Sequence, residues 1–417
     1  MTTPAVVRAP GYSVWKNRIS FTLLVLAVVE LFLFGVIGFL RRKDSFSDWT
    51  YYHAAGRALL ARENPYDPPT FKKYGEGRFD IQVGRYYYPP QAAPLMMLFG
   101  VLPYKSACVL MRVVNFLASL VMPFLAVAAL RPRTAVAPAA GPAVPWLLPA
   151  MILGDPWLVS SVWNGTVAPL ITIALMGGWL LVERGRPALA GILFGLATIK
   201  PQLAVLVMIW MVCERRWKVL AVSSLTVLVC MAYPLAVYGP KVAIGGWLAN
   251  ARLYQDEWCN SLGWIHLMGL PNLVFALGIT LPDLKLAAVI LTIALWFGRR
   301  RFCPEDILGI LTGMSVTLLL AHDYDLVLLV PLLVSMWRHL SGRPRQAAVA
   351  LVLVLILMIP DRWILHYHPH EWIYQRCTVI TIVLLLWLIG LSVRRAAELN
   401  ASPPPLAPAP TPAAAGG

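Results

Sequence analysis

Ile19 to Leu40 is a run of 22 mostly apolar residues, preceded by Arg8, Lys16 and Arg18 and followed by Arg41-Arg42-Lys43. At 1.5 Å per residue such a helix is about 33 Å long, enough to cross a hydrocarbon core of ~30 Å. No small-residue cleavage site follows, so the run reads as a retained span and not a signal peptide. Further apolar stretches cover about 106–130, 145–162, 167–182, 187–213, 217–238, 283–298, 305–321, 326–337, 346–360 and 377–393. With 59% hydrophobic and 13% charged residues, an ordinary soluble domain is excluded. The predicted class is an all-α polytopic membrane protein. The net charge of +15 reflects basic cytoplasmic loops, since no nucleic-acid module is visible. Six cysteines, at 108, 213, 230, 259, 303 and 377, form no CxxC pair. Neither a disulfide framework nor a zinc site is expected.

The topology depends on how often 187–213 crosses. One helix would put the clusters at Glu183–Arg186 and Glu214–Lys218 on opposite faces. A break at Lys200-Pro201 gives two halves of about 18–20 Å each, too short to span, which form a shallow hairpin with its tip outside. Short inner loops then hold 18 Lys and Arg and short outer segments six, so the positive-inside rule favours the hairpin, with both termini inside. The first outer loop, 41–89, holds or adjoins ten basic residues and runs against that rule. Residues 1–18 are assigned to a cytoplasmic N-terminus and 19–398 to the membrane domain. The Pro/Ala-rich linker 131–145 and tail 399–417 cannot bury a core and are expected to be disordered. No internal repeat and no inverted pair of broken helices is visible.

Chemistry-bearing residues concentrate in the outer loops. Within 47–67, Ser47 or Asp48 can cap a helix whose Trp49, Tyr52, Ala55, Leu59 and Leu60 fall at helical spacing, ended by Asn64-Pro65. It reads as a helix lying at the membrane surface. Asp48 is either that cap or a partly desolvated carboxylate tuned as a base. Tyr86-Tyr87-Tyr88, ahead of Pro89-Pro90, is an aromatic belt or a binding wall. Trp258, Asn260 and Ser261 are sugar contacts or, for the tryptophan, an interfacial anchor. Glu30 and Arg112 lie inside spans, where an ion pair between them is the economical arrangement.

Asp48 with Tyr51-Tyr52 and Ala54-Ala55, Asn64-Pro65-Tyr66-Asp67, and Tyr88-Pro89-Pro90 together resemble glycosyltransferase family 87. These are polyprenyl-phosphate-mannose-dependent α-mannosyltransferases with a GT-C fold. The resemblance continues through Asn164–Leu170, Leu189-Ala190-Gly191 to Lys200-Pro201-Gln202, Asn260-Ser261-Leu262 and His322-Asp323-Tyr324-Asp325-Leu326, about 45 to 335 in all. The chain departs where the family often has Gly-Gln before an Asn; Trp163-Asn164-Gly165-Thr166 stands there instead.

The resemblance implies a GT-C bundle of about 12 transmembrane or shallow helices and inverting transfer from a lipid-phosphate sugar, with Asp48 as base. One carboxylate suffices for such a transfer, because a phosphate leaves already ionised and needs cations or donors in place of an acid. Lys200, His322 and Arg85 are the expected phosphate ligands. The alternatives are a snorkelling Lys200, or one paired with a buried acid such as Glu30, and a structural His322 at a helix end. Tyr52, Tyr88, Asn164, Asn260 and Asp325 are expected at the substrate. His322, Asp323 and Asp325 could ligate a metal, but a lipid-phosphate donor needs no bridging cation, so neither metal nor cofactor is expected. The expected partners are a polyprenyl-phosphate sugar, a glycolipid or glycan acceptor and the bilayer, with no nucleic acid, and the expected location is a bacterial plasma membrane with the site outside. The rival class is a transporter or lipid flippase, which would do no covalent chemistry.

Overall fold

The computed structural model describes residues 10–38, 48–75, 84–130, 146–257, 260–281, 283–359, 373 and 375–401. The linker 131–145, Trp258, Cys259 and the tail beyond Ala401 lie outside them. The described residues are helical almost throughout. In order come α1 (Pro10–Glu30, continued by a π-turn to Ile37), α2 (Asp48–Leu60), α3 (Pro68–Gly75), α4 (Ala93–Val101), α5 (Tyr104–Leu130), α6 (Leu147–Leu153), α7 (Pro156–Asn164), α8 (Ala168–Glu183), α9 (Pro187–Ala197), α10 (Pro201–Cys213), α11 (Trp217–Pro240) and α12 (Gly246–Arg252). Next are β1 (Leu267–Met268), α13 (Leu270–Ala276), α14 (Lys285–Phe297), α15 (Ile307–Leu318), β2 (Ala321–His322), α16 (Val330–Leu340), α17 (Pro344–Leu357) and α18 (Arg376–Ala401). The last helix runs three residues into the segment expected to be a tail.

Among the described residues, four helical stretches are long and apolar enough to cross a membrane: Lys16–Ile37, Tyr104–Leu130, Trp217–Arg252 and Arg376–Ala401. A fifth candidate is the pair Leu147–Asn164 and Ala168–Glu183, bent by 116°. The protein is therefore an all-α membrane protein, completed by short apolar helices that need neighbours to satisfy their ends.

The segment 187–213 is broken as its Pro201 predicts: α9 ends at Ala197 and α10 begins at Pro201. Gly191 abuts Val219 and Val222 while Gly195 abuts Ser223 and Thr226, so α9 and α11 run in the same direction. Their starts, beside Arg184/Arg186 and Arg215/Arg216, therefore share one end of the bundle, as the hairpin requires. That end is stitched together by polar contacts. Glu214 accepts from Trp296 Nε1 at 2.9 Å and pairs with Arg299 at 3.2 Å. Arg338 pairs with Asp306 at 3.3 Å and donates to the Ala129 carbonyl at 2.9 Å. Cys303 N–H donates to Ser392 Oγ at 2.9 Å. The basic loops gather at this end, and Asp48 lies at the other.

Glu30 and Arg112 do not form an ion pair: Glu30 is on the exposed side of α1, whereas Arg112 is buried inside the bundle. The first-loop helix α2 is not one-sided either. Trp49, Tyr52, Ala55 and Leu59 are buried as their spacing predicts, but Leu60 of the same stripe is exposed, and Thr50, Tyr51, His53, Ala54, Gly56 and Ala58 are buried too. The cause is α4, which lies against α2 so closely that a Cβ on Gly56 would stand 1.9 Å from Met96 O and one on Gly100 2.4 Å from Gly56 C. Small residues at this crossing let the two backbones touch.

Candidate active site

At the end opposite the basic loops lies a cavity of about 910 Å³. Its lining includes Asp48, Tyr51, Tyr87, Tyr88, Asn164, Lys200, Arg252, Asn260, His266, Lys285, His322 and Tyr324. Val205, Leu206, Val289, Leu319 and Leu320 form an apolar part of the wall.

Asp48 opens α2, fixed from below by the Gly56–Gly100 crossing. A second clamp comes from the end of α7, where Gly165 adopts φ +67° and a Cβ on it would stand 2.5 Å from Trp49 Cδ1. Only glycine gives both that conformation and that closeness. Tyr88 sits on the extended stretch before Pro90. That stretch is held by Trp247 Nε1 donating to Tyr87 O at 3.1 Å and by Asn250 Nδ2 donating to Tyr66 O and Tyr86 O at 3.0 and 3.1 Å. Tyr88 donates its hydroxyl to Asp48 Oδ2 at 3.3 Å and shares a 2.8 Å hydrogen bond with Tyr52.

Asp48 is half-buried. Desolvation lifts its pKa from 3.8 to about 6; nearby Lys200 pulls it down, Asp325 pushes it up, and the hydroxyls of Tyr88 and Tyr324 pull it down. Burial holds the phenols of Tyr88 and Tyr324 well above their ordinary range, so both stay donors. The carboxylate is thus ionised at neutral pH yet basic enough to take a proton.

Lys200 closes the break between α9 and α10, its backbone extended (φ −121°, ψ 82°) ahead of Pro201. Its partner is Asp325: Nζ lies 2.6 and 2.7 Å from the two carboxylate oxygens, with both side chains buried. Asp325 Oδ2 also accepts from His322 N–H at 3.0 Å. In return, the His322 side chain accepts from the Asp325 backbone N–H. One ring nitrogen is therefore an acceptor, and in the neutral ring the other must carry the proton. His322 stacks on Tyr324 at 5.0 Å, and Lys200 Nζ lies 4.9 Å over that same ring.

Six of the residues predicted from the sequence, Asp48, Lys200, His322, Tyr88, Asn164 and Asn260, line this one cavity. Tyr52, Asp325 and Arg85 do not. Tyr52 is fully buried behind Tyr88, and Asp325 is enclosed by Lys200 and His322. Arg85 precedes the buried Tyr86 and is half-buried away from the lining. The sequence reading missed Tyr324, Arg252, Lys285 and a His266–Asp323 pair whose Nδ1 and Oδ2 are 2.7 Å apart. Asp323 stands inside the His322–Leu326 motif, but its partner is 57 positions away, a separation no local pattern reveals. Among the described residues, the trio with metal-ligand donor atoms within 4.8 Å of one another is Cys303, Asp306 and His339, at the opposite end.

The family model of glycosyltransferase family 87 matches residues 86–360. No curated protein and no solved structure matches the chain. The matched segment contains Tyr88, Asn164, Lys200, Asn260 and His322, whereas Asp48 and α2 precede it. The place of Asp48 in the site rests on geometry: its hydrogen bond to Tyr88 and its position in a cavity built by the matched segment.

Proposed function

The chain belongs to glycosyltransferase family 87 and is a membrane glycosyltransferase; from that premise we propose that it transfers a hexose, mannose foremost, from a polyprenyl-phosphate sugar to an acceptor hydroxyl with inversion. The observation that carries this reading is the half-buried Asp48, raised to about 6 and facing a cavity that holds no second half-exposed carboxylate among its described lining residues. In that cavity Asp48 takes the proton of the acceptor hydroxyl as its oxygen attacks the anomeric carbon. The bond from that carbon to the phosphate oxygen breaks, and the phosphate keeps the electron pair. A β-linked donor then gives an α-linked product.

The remaining roles follow from chemistry. The ring nitrogen of His322 that does not accept from Asp325 can donate to a phosphate oxygen without the ring being protonated. Tyr88, Asn164 and Asn260 present polar groups to sugar hydroxyls. The wall of Val205, Leu206, Val289, Leu319 and Leu320 suits a prenyl chain. Tyr52 and Asp325 act one layer back, as supports for Tyr88 and for Lys200 with His322. Counting the short helices and the 187–213 hairpin, the bundle has about twelve membrane segments. The charge asymmetry supports an outer-face cavity, and the membrane proposed is a bacterial plasma membrane. The acceptor is a glycolipid or glycan, and no cofactor takes part.

The test is incubation of the purified protein with radiolabelled polyprenyl-phosphate mannose and a lipid extract of the source membrane. Label is expected in a new α-linked product. Donor movement across proteoliposomes with no new product would make the protein a transporter.

A further inference from the structure

Lys200 carries the charge that the sequence assigns to a phosphate, but both oxygens of Asp325 already hold it within 2.7 Å, and its side chain is only 5% exposed. An anionic group entering the cavity therefore needs another donor. Beside the donor already assigned to His322, the β1 edge of the cavity supplies a second. β1 and β2 pair antiparallel, with Leu267 opposite His322, and the register continues one step as Asp323 N–H donates to His266 O at 2.9 Å. That bridge holds His266 by its backbone. Its side chain is held as well: Nδ1 lies 2.7 Å from Asp323 Oδ2, and the Trp264 ring meets it edge-on at 5.6 Å.

Asp323 is buried, and its other oxygen, Oδ1, accepts from Tyr324 N–H at 2.6 Å. A carboxylate only accepts, so the shared proton belongs to His266 Nδ1. The nitrogen Asp323 does not use is Nε2, on a side chain 39% exposed in the cavity lining. An imidazole fixed at backbone and at Nδ1 by a buried carboxylate is oriented for one ligand direction.

Resting on the reading that the donor is a lipid-phosphate sugar, we propose that His266, carrying a proton on both ring nitrogens against the buried Asp323 carboxylate, is a catalytic residue that donates Nε2–H to the departing phosphate, with Asp323 as its positioning residue. As the bond between the anomeric carbon and the phosphate oxygen breaks, its electron pair stays on the phosphate, whose charge goes from one negative to two. The acceptor oxygen bonds to the carbon, and its proton goes to Asp48. The His266 imidazolium keeps its own proton and hydrogen-bonds to the new charge, while Asp323 balances the ring.

Two substitutions separate this role from a purely structural one. His266→Asn keeps an amide donor near the Nδ1 position for Asp323 but deletes the cavity-side nitrogen. His266→Gln places an amide nearer Nε2 and gives up the Asp323 contact. Transfer is measured with inhibition by polyprenyl phosphate and, as the uncharged control, by polyprenol. A lost hydrogen bond to a charged group corresponds to about 10–100-fold. His266→Asn is expected to lower kcat and weaken polyprenyl-phosphate inhibition by that factor, leaving polyprenol inhibition and thermal unfolding unchanged. His266→Gln is expected to lose less. Asp323→Asn is expected to weaken only the phosphate inhibition and kcat. A fully active His266→Asn beside an impaired His266→Gln would make His266 an anchor for Asp323 and overturn the inference alone, as would equal phosphate inhibition in all variants. A wild type that neither transfers from the lipid-phosphate donor nor is inhibited by polyprenyl phosphate would remove the underlying reading, and this inference with it.

Discussion

The two ends of the bundle hold similar groups in different surroundings. At the loop-rich end, Asp306 is wholly buried between Arg338 at 3.3 Å and His339 at 2.7 Å. At the other, Asp325 is wholly buried against Lys200 at 2.6 Å. Both are carboxylates matched by cations, and burying either unmatched would be costly. What differs is the neighbourhood. Around Asp325 lie a 910 Å³ cavity, a second carboxylate at Asp48, and two oriented histidines, His322 and His266. Beside the Asp306 cluster, the pocket lined by Glu305, Ser335 and Arg338 holds only about 30 Å³, and the cluster fastens helix ends. Ion pairing thus supplies architecture at both ends, and chemistry arises only where the pair borders a large cavity that also holds a half-buried carboxylate.

The sharpest way to break this comparison is Asp48→Asn. Positioned bases contribute about 10²–10⁴ to rate, so transfer is expected to fall at least a hundredfold while thermal unfolding in detergent stays near wild type. Asp306→Ala is expected to do the reverse. It deprives Arg338 and His339 of their buried carboxylate, a loss of about 3–5 kcal/mol for a broken buried pair, read as a lowered unfolding midpoint with the specific activity of the folded fraction unchanged. Lys200→Met is expected to give a comparable stability loss by stranding Asp325. Adding Asp325→Leu is expected to recover most of that stability but not the activity, because His322 loses its partner; recovery of both would make the pair purely structural. The smallest effect is expected from Gly165→Ala. A left-handed backbone costs a non-glycine residue about 1–2 kcal/mol, and the new Cβ must displace Trp49, next to Asp48. Transfer is expected to fall roughly tenfold through misplacement of the base, with a small shift in the unfolding midpoint.

How much of this was legible in the sequence depends on whether the signal was local. Lys200 could be placed at a hairpin tip because Pro201 follows it, and Asp48 at a helix start because the apolar spacing begins at Trp49. The sidedness of the basic clusters could be read because charge near spans is itself a local signal. The partners could not. Lys200 was offered Glu30, yet its partner is Asp325, 125 positions away. The pairing of His266 with Asp323 depends on a two-residue strand bridge with no pattern long enough to detect. The α2 helix read as a one-sided surface helix because its Thr50, His53 and Gly56 are polar or small; their burial follows from α4, whose Gly100 meets Gly56 backbone to backbone. The motifs point to Tyr52 and Asp325 as substrate contacts, but their depth behind the cavity wall follows from packing.

The most direct test of the account is the pH dependence of transfer by the wild-type protein. A base must be ionised to act, and burial raises Asp48 from 3.8 to about 6, so its protonated, inactive form accumulates as pH falls through about 6. The expected profile is flat above about 7 and loses a factor of ten per pH unit below about 6, with that limb absent from the residual activity of Asp48→Asn. A limb near 4, or one near 6 that persists in Asp48→Asn, would contradict the assignment of Asp48 as the buried base.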